Sequence, residues 1–404
     1  MTHRALCGHA DTLAQDWSNM TSHHYLHTGQ RTCHADDGRE VPCRGSGQDA
    51  AFSVGMSWPE PRFELHDDEV VDRLTGLLWC RNANLAEFPL TWQEALDFVA
   101  TMNRERRFGQ HDWRLPNRRE LRSLLSLQNK LPALPERHPF LNVFSGWYWT
   151  ATTAAISPAH AWYVALDGGR MFYGGKDQSF MLWPVRGEGL GVIPRTGQYL
   201  CFDAAGKAIS CSGSGQDGES RYGAPWPEPR FEIFPAGVLD RLTGLLWRRG
   251  ANLTPQPVVW REALAAVAEL NQDGAGHPWR LPTINELEAL VDCAAHSPAL
   301  PSGHPFADIQ EVYWSSTTSL FEPDWAWALY LNKGATGVGQ KRFAEFSVWA
   351  VASTADRQAE IGEVPISCSA QAGVEPEPAP VFCIKPVGVP LECHSAKGHN
   401  EIRD

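Results

Sequence analysis

The sequence predicts an α+β fold built twice in tandem, and three observations lead there. Long motifs recur in one order at matched spacing, amphipathic helical stretches with capping signals follow in each copy, and short strands broken by glycine fill the rest.

From Gly29 the chain reads GQRTCHADDGREVPCRGSGQD, and from Gly197 it reads GQYLCFDAAGKAISCSGSGQD. WPEPRFE recurs at Trp58 and Trp226, DRLTGLLW at Asp72 and Asp240, WRLP at Trp113 and Trp279, HPF at His138 and His304, and YW at Tyr148 and Tyr313. A period this long marks duplicated domains, because solenoid units are far shorter. The expected organisation is an N-terminal segment over 1–27, copy one over 28–188, a linker over 189–195 and copy two over 196–353. A Pro- and Glu-rich tail with a cysteine hairpin fragment fills 354–404.

Each copy opens on a hairpin, with Asp37-Gly38 and Ala205-Gly206 supplying turn residues midway between two cysteines. A helix follows, since Trp92, Ala95, Leu96 and Val99 share one helical face, as do Trp260, Ala263, Leu264 and Val267. Thr91 with Glu94 forms a capping box, whereas Val259 stands at the equivalent position of copy two and leaves that helix start looser. A second short helix begins after WRLP, where Asn117 with Glu120, and Thr283 with Glu286, fit the same geometry. The remainder reads as antiparallel strands and Gly-rich turns: YWTATT, HAWYVALDGG and FMLWPVRG, then YWSSTT, WAWALYLNKG and FSVWAVA.

Cys33 and Cys43, Cys201 and Cys211, and Cys383 and Cys393 each flank a glycine-bearing turn, and facing cysteines across a hairpin can bridge. Zinc is a poorer reading, because two ligands per hairpin make no tetrahedral site, and free thiols stay open. Disulfides imply an oxidising compartment, so a periplasmic, cell-surface or secreted location is expected although Met1–Met20 lacks an apolar signal stretch. Cys80 and Cys293 face Arg248 and Leu127 in the other copy and read as small buried hydrophobes. The spacing pattern does not assign Cys7, Cys80, Cys293 or Cys368 as free or bridged.

Fourteen of the 17 Trp residues match between copies, which reads as duplicated core. The unmatched ones carry more functional weight: Trp147 beside Tyr148, Trp325 in Glu322-Pro323-Asp324-Trp325, and Trp17 outside both copies. Trp147, Tyr148, Glu322, Asp324 and Trp325 are the candidate ligand contacts. Glu120 and Glu286 read as caps, Asp72-Arg73 and Asp240-Arg241 as turns with a local ion pair, and His138 and His304 as turn residues. No catalytic residue and no metal ligand set is expected.

Lys and Arg number 35 against 47 Asp and Glu, a formal net charge of -12 that disfavours nucleic acid. The basic cluster from Arg104 to Arg122 reads as a solvated helix face. No apolar run is long enough to span a membrane.

These motifs, with TW-x-EAL at Thr91, DWRLPN-x-x-EL at Asp112, AWYV at Ala161 and the VRG at Val185, resemble the bacterial Lcl C-terminal-like domain family. The resemblance implies two tandem C-type-lectin-like domains, each with a short antiparallel sheet, two helices, long loops and an N-terminal hairpin. It also implies a surface or secreted adhesin-like protein that recognises a glycan or protein without catalysis. Some relatives favour sulfated polyanions, but the acidic balance here fits neutral sugar or protein better. Ala352 stands where copy one has Arg186, which sets the copies apart. Glu322-Pro323-Asp324 resembles a lectin calcium motif, so calcium is the one cofactor considered. The alternatives are an oxidative protein-modifying enzyme related to formylglycine generation, which needs a reactive thiol, and a structural envelope protein.

Overall fold

The structure, a computed structural model, describes residues 24–272 and 278–353, all within one compact unit. Trp17, Cys7, Cys368 and the Cys383/Cys393 hairpin lie outside the described residues.

In copy one, β1 (Cys33–His34) and β2 (Glu40–Val41) make the hairpin and α1 (Asp49–Phe52) follows. Next come β3 (Phe63–His66), β4 (Glu69–Asp72), β5 (Leu77–Cys80), β6 (Leu90–Thr91), α2 (Trp92–Arg104) and α3 (Arg118–Ser123). Strands β7 (Trp147–Thr153), β8 (His160–Ala165), β9 (Met171–Gly175), β10 (Ser179–Phe180) and β11 (Val185–Arg186) complete it. Copy two repeats the order with β12 (Cys201–Phe202), β13 (Ala208–Ile209), α4 (Asp217–Ser220), β14 (Phe231–Phe234), β15 (Gly237–Asp240) and β16 (Leu245–Trp247). It ends with α5 (Trp260–Glu269), α6 (Ile284–Leu290), β17 (Val312–Thr318), β18 (Trp325–Tyr330), β19 (Ala335–Gln340) and β20 (Val351–Ser353).

The mixed α+β expectation holds, and both disulfides are formed, Cys33–Cys43 and Cys201–Cys211. The capping boxes at Thr91, Asn117 and Thr283 are present, while Val259 offers α5 no side-chain cap. Each copy has a four-stranded antiparallel sheet, β3-β4-β5-β11 or β14-β15-β16-β20. The larger sheet belongs to both copies at once. Its order is β17-β18-β19-β9-β8-β7, joined where Met171 of β9 faces Thr336 of β19. Helices α3 and α6 pack on one side of it, against β7 and β8 and against β17 and β18.

Twelve of the matched Trp residues are buried, and equivalent indoles find equivalent partners. Trp92 donates to the Thr150 carbonyl as Trp260 does to Ser315, Trp149 to Leu90 as Trp314 to Val258, and Trp183 to Cys80 as Trp349 to Arg248. The seventh pair, Trp58 and Trp226, is half-buried with Arg62 and Arg230 over the rings.

Two sequence expectations are corrected. Asp72 and Asp240 do not pair with the neighbouring arginine but bond bidentately to Arg62 and Arg230 in the WPEPRFE motif, because the aspartates are fully buried and need a buried fork. Arg118, Arg119 and Arg122 are not on a solvated face, since α3 is enclosed between the copies. Among the described residues no helix is long and apolar enough to cross a membrane.

The hairpins are exchanged. The first docks on copy two, where the Gln30 side chain bonds both the amide and the carbonyl of Thr318, and Thr317 donates to Asp49 at 2.7 Å. The second docks on copy one through Gln198 with Thr153, and through Thr152 to Asp217 at 2.7 Å. A buried lysine locks each turn: Lys341 donates to the His34 carbonyl and lies over Trp260, and Lys176 donates to the Phe202 carbonyl and lies over Trp92. Gly38, with φ +81, brings the turn so close that an added Cβ would sit 3.1 Å from the Asp324 amide.

Candidate ligand-binding surface

The large sheet carries α3 and α6 on one face, and alternation along the strands decides what the other presents. Trp147 lies opposite Ala165, Trp149 opposite Tyr163 and Tyr163 opposite Phe172, so these side chains share a face. At the β7 end Phe180 covers Trp149, and at the β17 end Phe346 covers Trp314. Between and against those lids runs a strip of rings: Trp147, 48% exposed, then the half-buried Tyr163, Phe172 and, from copy two, Tyr330. Trp147 and Tyr163 have ring centroids 5.7 Å apart, and Phe172 meets Tyr330 across the copy boundary at 6.1 Å.

Small residues floor the strip. Ala165 and Ala335 are buried beneath it, and a Cβ added at Gly337 would come within 2.8 Å of the Tyr330 ring and 3.3 Å of the Phe172 ring. The strip is not a product of the duplication. Counterparts of Trp147, Tyr163 and Phe172 in copy two are Val312, Ala328 and Gly337, while Tyr330 answers to Ala165. Core tryptophans are thus duplicated, and the rings of the strip are not.

The predicted contacts fall in three places. Trp147 is in the strip. Tyr148 is fully buried on the opposite side of β7, its hydroxyl accepting the Phe144 amide at 2.8 Å and its ring packed against Trp183, so it does not face solvent. Glu322, Asp324 and Trp325 lie at the junction of the copies. Glu322 pairs with Arg170 at 2.9 Å, the Asp324 carboxylate accepts from Gln340, and half-buried Trp325 opens β18. Both carboxylates therefore have protein partners, and among the described residues no group of three or more His, Cys, Asp or Glu converges as for a metal. Tyr163, Phe172 and Tyr330 were not singled out by sequence reasoning. The asymmetry of aromatics between aligned copies was the signal that could have found them.

Other candidate chemistry is absorbed by structure. Arg114 and Arg280 fork onto Glu120 and Glu286, which also cap α3 and α6. His138 and His304 stack beside Phe140 and Phe306, and burial lowers their pKa. Cys80 and Cys293 are buried, which pushes both thiols up to about 12 and keeps them protonated. Where each hairpin meets the opposite helix there is a groove, of about 590 Å³ beside α5 and about 340 Å³ beside α2.

A family profile described as the Lcl C-terminal domain matches residues 68–186 and 236–352. Both matches begin after the hairpin, so the profile covers the body of each copy and leaves out the segment that crosses to the other. No curated protein matches the chain.

Proposed function

The chain belongs to the Lcl C-terminal domain family, and from that premise we propose that it is a non-enzymatic, adhesin-like binding protein that captures a glycan or a protein on its aromatic strip. One observation carries the reading: four rings from both copies, Trp147 exposed and the other three half-buried, gather on one face of the shared sheet at positions where the aligned copies differ. Flat exposed aromatics stack on sugar faces and anchor protein contacts, and a soluble surface rarely gathers them without a partner. Two disulfides support residence at the cell surface, in the periplasm or outside the cell. The long connections between α3 and β7 and between α6 and β17 fit the lectin-like architecture that the family resemblance implies. Protonated, enclosed thiols support binding over oxidative chemistry.

The test is a glycan and protein array probed with the full chain, with calcium and with chelator. Trp147→Ala is expected to weaken capture at least about tenfold and Tyr330→Ala to do so in the same assay, with chelator having no effect. Capture unchanged in both variants would remove the strip from the account.

A further inference from the structure

Both hairpins carry the same glycine-bracketed loop, and the chain itself fills only one of them. Gly45-Ser46-Gly47 in the first corresponds to Gly213-Ser214-Gly215 in the second, inside the repeated GSGQD. The backbones match, with φ of +73 and +70 at Gly45 and Gly47, and +73 and +67 at Gly213 and Gly215. Ser46 donates its amide to the Cys43 carbonyl as Ser214 does to Cys211, both at 3.0 Å. Each serine hydroxyl accepts the glutamine amide two residues on, at 3.2 Å.

In the second hairpin the loop closes on a carboxylate. Glu219 of α4 accepts the Gly213 amide at 2.6 Å and the Gly215 amide at 2.8 Å, with the Ser214 hydroxyl at 3.4 Å. Amides turned inward by left-handed residues make a concave seat for an anion. In the first hairpin Ala51 of α1 stands in place of Glu219. Gly45 is exposed and Gly47 partly so, and neither amide meets an acceptor among the described residues. The same donors therefore face solvent.

The surroundings change in the same direction. Arg44 replaces Ser212 beside the loop, and Arg261 and Arg342 replace Gln93 and Asp177 in the groove that Ser46 and Gln48 line. Asp36 and Asp37, where the second hairpin has Ala204 and Ala205, run the other way. Their charge falls on buried Lys341, and Asp37 also accepts the Arg39 amide.

We propose that the Gly45-Ser46-Gly47 loop docks an acidic side chain of a partner protein, whose carboxylate bonds the two glycine amides and the Ser46 hydroxyl as Glu219 does in the second hairpin. A glutamate already fills the equivalent seat, so the donors there suit a side-chain carboxylate, and such charge-assisted bonds are stronger than neutral ones. Arg44, Arg261 and Arg342 draw an acidic segment towards the loop. The seat shares no residue with the aromatic strip and stands whether or not the strip binds.

Solution NMR of the full chain, isotopically labelled at glycine, tests it. N-acetylglutamate amide is titrated at constant ionic strength, with N-acetylglutamine amide as the uncharged control and glucuronate as an acidic sugar. Saturating shifts of the Gly45 and Gly47 amides are expected with the glutamate compound and little movement with the glutamine compound, while Gly213 and Gly215 stay in place. Ala51→Glu supplies the carboxylate within the chain and is expected to abolish the response at Gly45 and Gly47. Glu219→Ala is expected to open the second seat, so that Gly213 and Gly215 begin to respond. Unmoved Gly45 and Gly47 signals, equal shifts with the glutamine compound, a response to glucuronate alone, or an Ala51→Glu chain that still responds would overturn the proposal.

Discussion

Asp49 and Asp217 show how much a single docking residue is asked to do. Each accepts a threonine hydroxyl from the other copy, and each is fully buried, which raises its pKa from 3.8 to about 6. The unfolded carboxyl loses its proton near 3.8 and the folded one near 6, so the folded state holds more protons in between. Stability from these groups is therefore complete below the lower value and lost as pH rises through the upper one. Urea unfolding from pH 3.5 to 7 is expected to show that fall, and Asp49→Asn with Asp217→Asn is expected to flatten it; an equally steep double variant would assign the slope elsewhere. On the strip, Gly337→Val puts side-chain atoms into the Tyr330 and Phe172 rings. The expected outcome is ligand capture reduced severalfold together with a urea midpoint lowered by the equivalent of about 1–3 kcal/mol, because Gly337 is buried, and capture equal to that of the parent chain would remove the Tyr330 and Phe172 rings from the binding surface. GSGQD and TGQ were visible as motifs, but their meaning as hooks for the opposite copy was not, because a one-dimensional repeat does not say which copy a segment touches.

Helices were the legible elements, since apolar spacing and capping signals are local. The comparison of α2 with α5 gives a direct test. Glu262 already stands at the third position of α5, and Val259 has the extended backbone of a cap without a side-chain acceptor. Val259→Thr completes the box in an isosteric side chain and is expected to stabilise the protein by about 0.5–1 kcal/mol, read as a higher urea midpoint at constant slope. A lower midpoint would mean that the valine methyl packs better than the hydroxyl bonds. Strands β9 and β19 were far less legible. Gly174, Gly337 and Gly339 interrupt the alternation that announces a strand, and the glycines are there because aromatic rings from neighbouring segments occupy the space of a Cβ. Elements shaped by what lies across from them carry little signal of their own.

At the level of the whole chain, hairpin exchange makes each body depend on the other copy for its closure. Removing the Cys33–Cys43 bridge with Cys33→Ser and Cys43→Ser is expected to cost ~3 kcal/mol. The loss should appear as faster amide exchange in β17 and β18 of copy two, where the first hairpin docks, while β7 and β8 of copy one keep their protection. Loss of protection confined to copy one would contradict the exchange. The sequence by itself determined the duplication, the α+β character, the helices with their caps, two cysteine bridges and the burial of six of the seven matched tryptophan pairs, because each is written in local spacing or in comparison of aligned copies. Only the tertiary structure decided that the copies share one sheet, that they trade hairpins, that the arginines of α3 are buried, and that four scattered rings form one strip. Those features arise mostly from contacts between residues far apart along the chain, 45 positions at the second hairpin and 288 at the first, and such contacts are selected by shape and burial rather than by any pattern along the chain.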